Sequence, residues 1–160
     1  MKKLLILFLI SFFFISFSLE NSFEKKFLQK KYKWYSDLIY ENSKKYCKVP
    51  VLLTFAIIQV ESSGNPRALG KLVKVRLIRN NKYVYEYHRA YGLMQVMGFH
   101  SKNPKSLFNI PTNIKYGCKI LNECLYKYKY LYKTISCYNI GINNKYLNKK
   151  YLKQVKRELL

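Results

Sequence analysis

Apolar residues recur along this chain at intervals that belong mostly to helices. Phe27, Leu28, Tyr35, Leu38, Ile39 and Tyr46 fall at helical spacing and predict an amphipathic first helix. Pro50 suits the opening turn of a second, carried by Leu53, Ala56, Ile57 and Val60. Ser62-Ser63-Gly64-Asn65-Pro66 ends it, because Gly64 or Asn65 can take a left-handed cap and Pro66 blocks continuation. The period then changes. Residues 72–78 and 83–87 are rich in Val, Leu, Ile and Tyr with charges interleaved, and Asn80-Asn81 between them predicts a small hairpin. Tyr91 to Met97 reads as a short helix or turn. Asn109-Ile110-Pro111-Thr112 leads into a strongly amphipathic helix with Ile114, Gly117, Cys118, Leu121, Leu125 and Tyr128 on one stripe, where Gly117 permits close helix contact. Thr134 to Ile140 predicts a further helix stopped by Gly141, and Tyr151, Leu152, Val155 and Leu159 mark a last one. The expected fold is mainly α (α+β): a compact helical domain with one small β-hairpin.

The first residues follow a different rule. Met1-Lys2-Lys3 is a short basic region before the apolar run Leu4 to Phe17, which is shorter than the roughly 20 residues a spanning helix needs. Ser16 and Ser18 are small residues at the spacing a signal peptidase reads, so residues 1–18 are expected to be a signal peptide. An uncleaved N-terminal anchor is the alternative. Either way the rest of the chain is expected outside the cytoplasm, in the periplasm or the extracellular space.

Export changes what the composition means. The chain has 160 residues, 49% of them hydrophobic and 17% aromatic, too apolar for a disordered tail. Its mean hydropathy of -0.21 is too low for a polytopic membrane protein. Thirty Lys and Arg against 8 Asp and Glu give a formal charge of +22, and without Lys2 and Lys3 about +20 remains. A preference for A/T-rich codons accounts for much of this, since Lys, Asn, Ile, Tyr and Phe dominate together. No nucleic acid is expected as partner outside the cytoplasm; lipid head groups and wall polymers are the anions there. Export also permits disulfides. Cys47, Cys118, Cys124 and Cys137 are even in number and allow three pairings, with buried free thiols as the alternative. Cys118 and Cys124 point in different directions from one predicted helix and are not expected to pair with each other. The spacing lacks the close pairs of a zinc site, so no metal is expected.

One acid stands apart. Glu61 is the only acidic residue between Glu41 and Glu86, and it follows Ala56-Ile57-Ile58-Gln59-Val60 at the end of an apolar helix. Burial against apolar neighbours and the negative end of the helix dipole both disfavour its carboxylate. A carboxyl so placed can keep its proton near neutral pH, as a general acid requires.

The residues around it form an ordered set. Glu61-Ser62-Ser63-Gly64-Asn65-Pro66-Arg67-Ala68 is followed by Ala90-Tyr91-Gly92-Leu93-Met94-Gln95-Val96-Met97, then Asn113-Ile114 with Gly117 and Leu121, then Tyr138-Asn139-Ile140-Gly141. Over about residues 46–157 this set resembles the catalytic domain of the soluble-type lytic transglycosylases, relatives of goose-type lysozyme. The resemblance implies a lysozyme-like fold with a substrate groove across it, residues 19–45 as a helical extension, and residues 46–160 as the catalytic domain.

It also implies roles. Glu61 matches the single catalytic acid, which protonates the glycosidic oxygen between N-acetylmuramic acid and N-acetylglucosamine. As a carboxylate it then takes the proton of the muramoyl 6-hydroxyl, closing a 1,6-anhydro ring. Gln95 matches a glutamine that hydrogen-bonds the sugar, and Met97 a methionine lining the groove, whereas Met94 reads as core. Tyr138 and Asn139 match a pair facing the acid, where the phenol can bond the carboxyl or the substrate. Ser62 and Ser63 are expected to brace the turn, and Gly92 and Gly141 to serve backbone geometry. No cofactor is implied. The expected partner is the peptidoglycan glycan strand, met by a monomer, with room for peripheral membrane contact and for work within a secretion or surface-assembly machine.

Two departures from the family pattern matter. The 71–89 segment is longer than usual and carries Glu86, which could serve as a second carboxylate holding a water, as in hydrolytic muramidases; a solvent-facing strand Glu is the plainer reading. Cys137 stands where a small Ala usually precedes Tyr-Asn, and a disulfide there would stiffen the site. A non-enzymatic basic envelope-binding protein is the alternative outside enzymology.

Overall fold

The computed structural model describes residues 22–26, 28–32, 35–144 and 146–160. The apolar run 4–17 and the junction after Ser18 lie outside the described residues, as does Phe27 of the first predicted stripe. Helical residues 22–26 and 28–32 precede α1 (Ser36–Tyr46). The single first helix expected from the periodicity is interrupted at Tyr35, which caps α1 with a backbone (φ -107°, ψ 8°) outside the α-helical region. Its hydroxyl donates to the Gly64 carbonyl at 2.7 Å and its ring stands 5.5 Å from that of Tyr32, which tethers the chain to the end of the next helix.

That helix, α2 (Val51–Ser62), is buried on every side over Val51 and Leu53–Ile58. An all-round apolar helix has to be a core element, and α2 lies between α1 and α5 (Lys149–Glu158). Ser63, rather than Gly64 or Asn65, takes the left-handed cap (φ 52°), with Gly64 following at φ 77°. Ser63 can do so because its N–H still reaches the Gln59 carbonyl at 2.9 Å.

The hairpin forms as expected. β1 (Val73–Arg79) and β2 (Lys82–His88) are antiparallel, joined by Asn80-Asn81 with φ of 50° and 60°. Two left-handed residues match the turn to the strands' right-handed twist, and asparagine tolerates that region best after glycine. The segment 91–97 is a second, tiny hairpin rather than a helix. β3 (Ala90–Tyr91) pairs with β4 (Val96–Met97) around the turn Gly92–Gln95. Gly92 sits at φ 71°, and a Cβ there would come within 2.5 Å of Asn113 Nδ2 and Leu107 O. Two short 3-10 turns, Gly98–His100 and Pro104–Phe108, lead on to α3.

α3 (Ile110–Tyr128) starts at Asn109, whose side chain accepts the Thr112 N–H, and packs against α1 on one side and α4 (Leu131–Ile140) on the other. Its buried stripe contains Ile114, Gly117, Cys118 and Leu121 as expected. Gly117 makes its close approach to the Met94 side chain of the turn, not to another helix. α4 begins three residues before the predicted Thr134, and in α5 Tyr151 and Val155 are buried while Leu159 is left half exposed beyond the helix. The result is a mainly α, lysozyme-like fold with a small hairpin. No helix among the described residues is long and apolar enough to cross a membrane.

Both predicted-helix cysteines bond elsewhere. Cys47–Cys118 ties α3 to the end of α1, and Cys124–Cys137 ties α3 to α4, so no cysteine is left free. With partners separated by 71 and 13 positions in sequence, chain entropy alone assigns them roughly 4 and 3 kcal/mol. Replacing Cys47 and Cys118 with Ala should lower the thermal midpoint more than replacing Cys124 and Cys137, as read by calorimetry. Equal shifts would reject loop entropy as the main term. Asn113 is buried, accepts from Met94 N (2.8 Å) and donates to Tyr91 O (2.7 Å) and Leu107 O (2.8 Å). Asn113→Ala orphans all three groups and should cost about 3 kcal/mol in chemical denaturation.

Candidate active site

A groove of about 680 Å³ runs between the β1–β2 hairpin, the 92–97 turn, α3 and α4. Glu61, Gln95, Met97, Tyr138 and Asn139, far apart in sequence, all line it. His100, Glu123 and the hairpin's Val75, Arg76 and Leu77 line it as well.

Glu61 reaches the groove from the last turn of α2 and is half-buried. Burial is the dominant influence and raises its pKa; hydrogen bonds from Tyr151 and Asn139 work against that rise by holding the charged form. The Tyr151 hydroxyl donates to Glu61 Oε1 at 2.6 Å. Burial and the adjacent Glu61 push the Tyr151 phenol far above its ordinary range, so it stays a donor at any working pH.

The Tyr138 phenol has a different partner. Its hydroxyl donates to the Met94 carbonyl at 2.6 Å and not to the carboxyl. It remains close enough that Glu61 raises its pKa beyond the effect of its own burial. Asn139 does face the acid, and its Oδ1 accepts from Asn148 Nδ2 at 2.7 Å, which turns its NH2 toward Glu61. Nothing in the periodicity marks Tyr151 or Asn148 as a site residue. Tyr151 sits four residues before Val155 on a stripe that reads as core, and a tyrosine on such a stripe still needs a partner for its hydroxyl. That unmet need was the available signal.

Gln95 occupies the left-handed region at φ 47°. Its amide donates to Gly92 O (2.9 Å) and Ala68 O (3.2 Å), which fixes the side chain and leaves its carbonyl end for the groove. Met97 lines the groove and Met94 is fully buried. Ser62 braces the turn, its hydroxyl lying 2.7 Å from Leu93 O and 3.0 Å from Ile58 O.

Glu86 lies on the hairpin's less exposed face, with Val75 and Val84, yet outside the residues lining the groove. Arg79 donates to both its oxygens (2.6 and 3.1 Å) and His88 stands 2.9 Å away, holding its pKa down at about 2. A carboxylate so engaged is a poor base for a water. Among the described residues no cluster of three His, Cys, Asp or Glu could hold a metal ion.

The arrangement can therefore deliver one proton from a half-buried acid into a groove furnished with amides, a phenol and apolar walls. Compared with known families, residues 37–160 match the model described as the transglycosylase SLT domain. No curated protein and no solved structure matches the chain. With more than three quarters of its length in that match and a lysozyme-like fold around the groove, the chain belongs to the transglycosylase SLT family and carries a lytic transglycosylase catalytic domain.

Proposed function

We propose that this protein cleaves the β-1,4 bond between N-acetylmuramic acid and N-acetylglucosamine in peptidoglycan with formation of a 1,6-anhydro end. The observation that carries the reading is one raised-pKa carboxyl, Glu61, in a groove where the other acid is Glu123 and Glu86 is engaged elsewhere. Glu61 gives its proton to the glycosidic oxygen as the bond breaks. The substrate's N-acetyl group stabilises the cationic anomeric carbon, a substrate-assisted route that dispenses with a second carboxylate. The Glu61 carboxylate then takes the proton of the 6-hydroxyl while that oxygen bonds the anomeric carbon, so acid and base are one residue.

Tyr151 and Asn139 are suited to this change of charge. They hold the carboxylate that forms when the proton leaves, lowering the energy of the intermediate state. Gln95 and Asn139 bond sugar hydroxyl or acetamido groups, Met97 lines the sugar path, and Tyr138 positions the 92–95 turn through Met94. The protein works outside the cytoplasm, a reading supported by the signal-like N-terminus and by the two disulfides.

Wall digests should yield muropeptides ending in 1,6-anhydromuramic acid by mass spectrometry; free reducing ends would assign hydrolysis instead. Glu61→Gln should lower kcat/KM by at least about a hundredfold while leaving the melting curve in place, and retained turnover would remove Glu61 from its role. The pH dependence has a definite sign. Because Glu61 must be protonated, activity falls as pH rises through its elevated pKa. Tyr151→Phe removes a bond that favours the carboxylate, so the alkaline limb of the kcat/KM profile should move to higher pH. A limb that stays fixed would mean Tyr151 does not act on Glu61.

A further inference from the structure

A second cleft of about 750 Å³ adjoins the groove on the outer face of α3, sharing Glu123 and Ile142 with it. Its charge differs sharply from the groove's. Lys48, Lys115, Lys119 and Lys127 line it against the single acid Glu123, whereas the groove sets only Arg76 against Glu61 and Glu123. Lys127 is partly engaged, donating to Ile142 O at 2.6 Å. Among the described residues, no carboxylate forms an ion pair with the other three lysines.

The cleft is also built rather than incidental. One wall is the Tyr46–Lys48 segment and the other is α3, and Cys47–Cys118 joins them covalently. The Asn122 amide bridges them a second time, donating to Tyr46 O and accepting from Lys48 N, both at 2.8 Å. The rings of Tyr116 and Tyr126 add apolar surface between the ammonium groups.

We propose that this cleft binds an acidic peptide: the carboxylate-bearing stem that the glycan carries as a side branch. The proposal rests on the groove being the glycan site. A sugar backbone brings no net charge to a near-neutral groove, while its branches bring carboxylates, amides and methyl groups. Lysines answer the first, and Asn122 and the tyrosine rings the others. The edge that cleft and groove share at Glu123 and Ile142 is where such a branch would leave the groove.

The test compares kcat/KM of the full chain on glycan strands that keep their stems and on strands stripped by an amidase. Stem-bearing strands should be preferred about tenfold at low ionic strength, with the preference shrinking at about 0.5 M salt. Lys48→Glu with Lys115→Glu should bring the ratio close to one, and the corresponding Arg pair should keep it. If the reversal pair fails to fold, the Gln pair gives the same readout. A wild-type ratio of one, or a reversal pair that keeps the preference, overturns the proposal. Calorimetric titration with amidase-released stem peptides separates the two readings. Peptide binding that the reversal pair abolishes, without cleavage of either strand, would reject the transglycosylase reading and retain the cleft. Polyphosphate binding as tightly as the peptide would overturn the acidic-peptide assignment in favour of a general anion site.

Discussion

Everything at this site hangs on two adjacent residues, Leu93 and Met94, whose backbone groups are claimed by three helices. Leu93 O meets the Ser62 hydroxyl of α2, Met94 N is held by the Asn113 amide of α3, and Met94 O receives the Tyr138 phenol of α4. None of these bonds is long, and Leu93 and Met94 are themselves fully buried, where a broken partner is expensive. Glu61 neighbours the first anchor, Asn139 the third, and Gln95 follows the turn directly. The positions of the acid, the amides and the phenol are consequences of one small backbone knot.

Much of this architecture was legible because single residues forced it. The apolar run before Glu61 admits only a core helix, Asn80-Asn81 only a tight hairpin turn, and the Asn109-Pro111 start fixes where α3 begins. The ordered motifs around Glu61, Gln95 and Tyr138-Asn139 name residues that line one groove in the fold. Other features depended on contacts between segments distant in sequence, which periodicity does not carry. Tyr35, at the break before α1, bonds Gly64, 29 residues away. Tyr151 reaches Glu61 across 90 residues, and the nearer phenol, Tyr138, is already committed to the backbone. The disulfide pairing likewise waited on the packing of α3 between α1 and α4.

The abundant positive charge acquires a geography in the fold. Little of it reaches the groove, where Arg76 is the one Lys or Arg on the lining and an ammonium beside Glu61 would favour the carboxylate and weaken a proton donor. On the hairpin's outer face it is laid over aromatic rings, Lys74 on Tyr85 and Arg76 on Tyr83. The hairpin's other face carries its own neutralised pair, Arg79 with Glu86. Codon preference can supply lysines in number, but the near-neutral groove is a matter of placement.

Gln95 holds a lesson for anyone wishing to stabilise this protein. Its backbone lies where side chains are disfavoured and glycine is at ease, and its two amide donors serve mainly to make that posture tolerable. A redesign that scored only backbone comfort would therefore write glycine at this position. It would gain a more relaxed turn and erase the one amide the turn carries into the groove, so thermal robustness and turnover are opposed at a single codon.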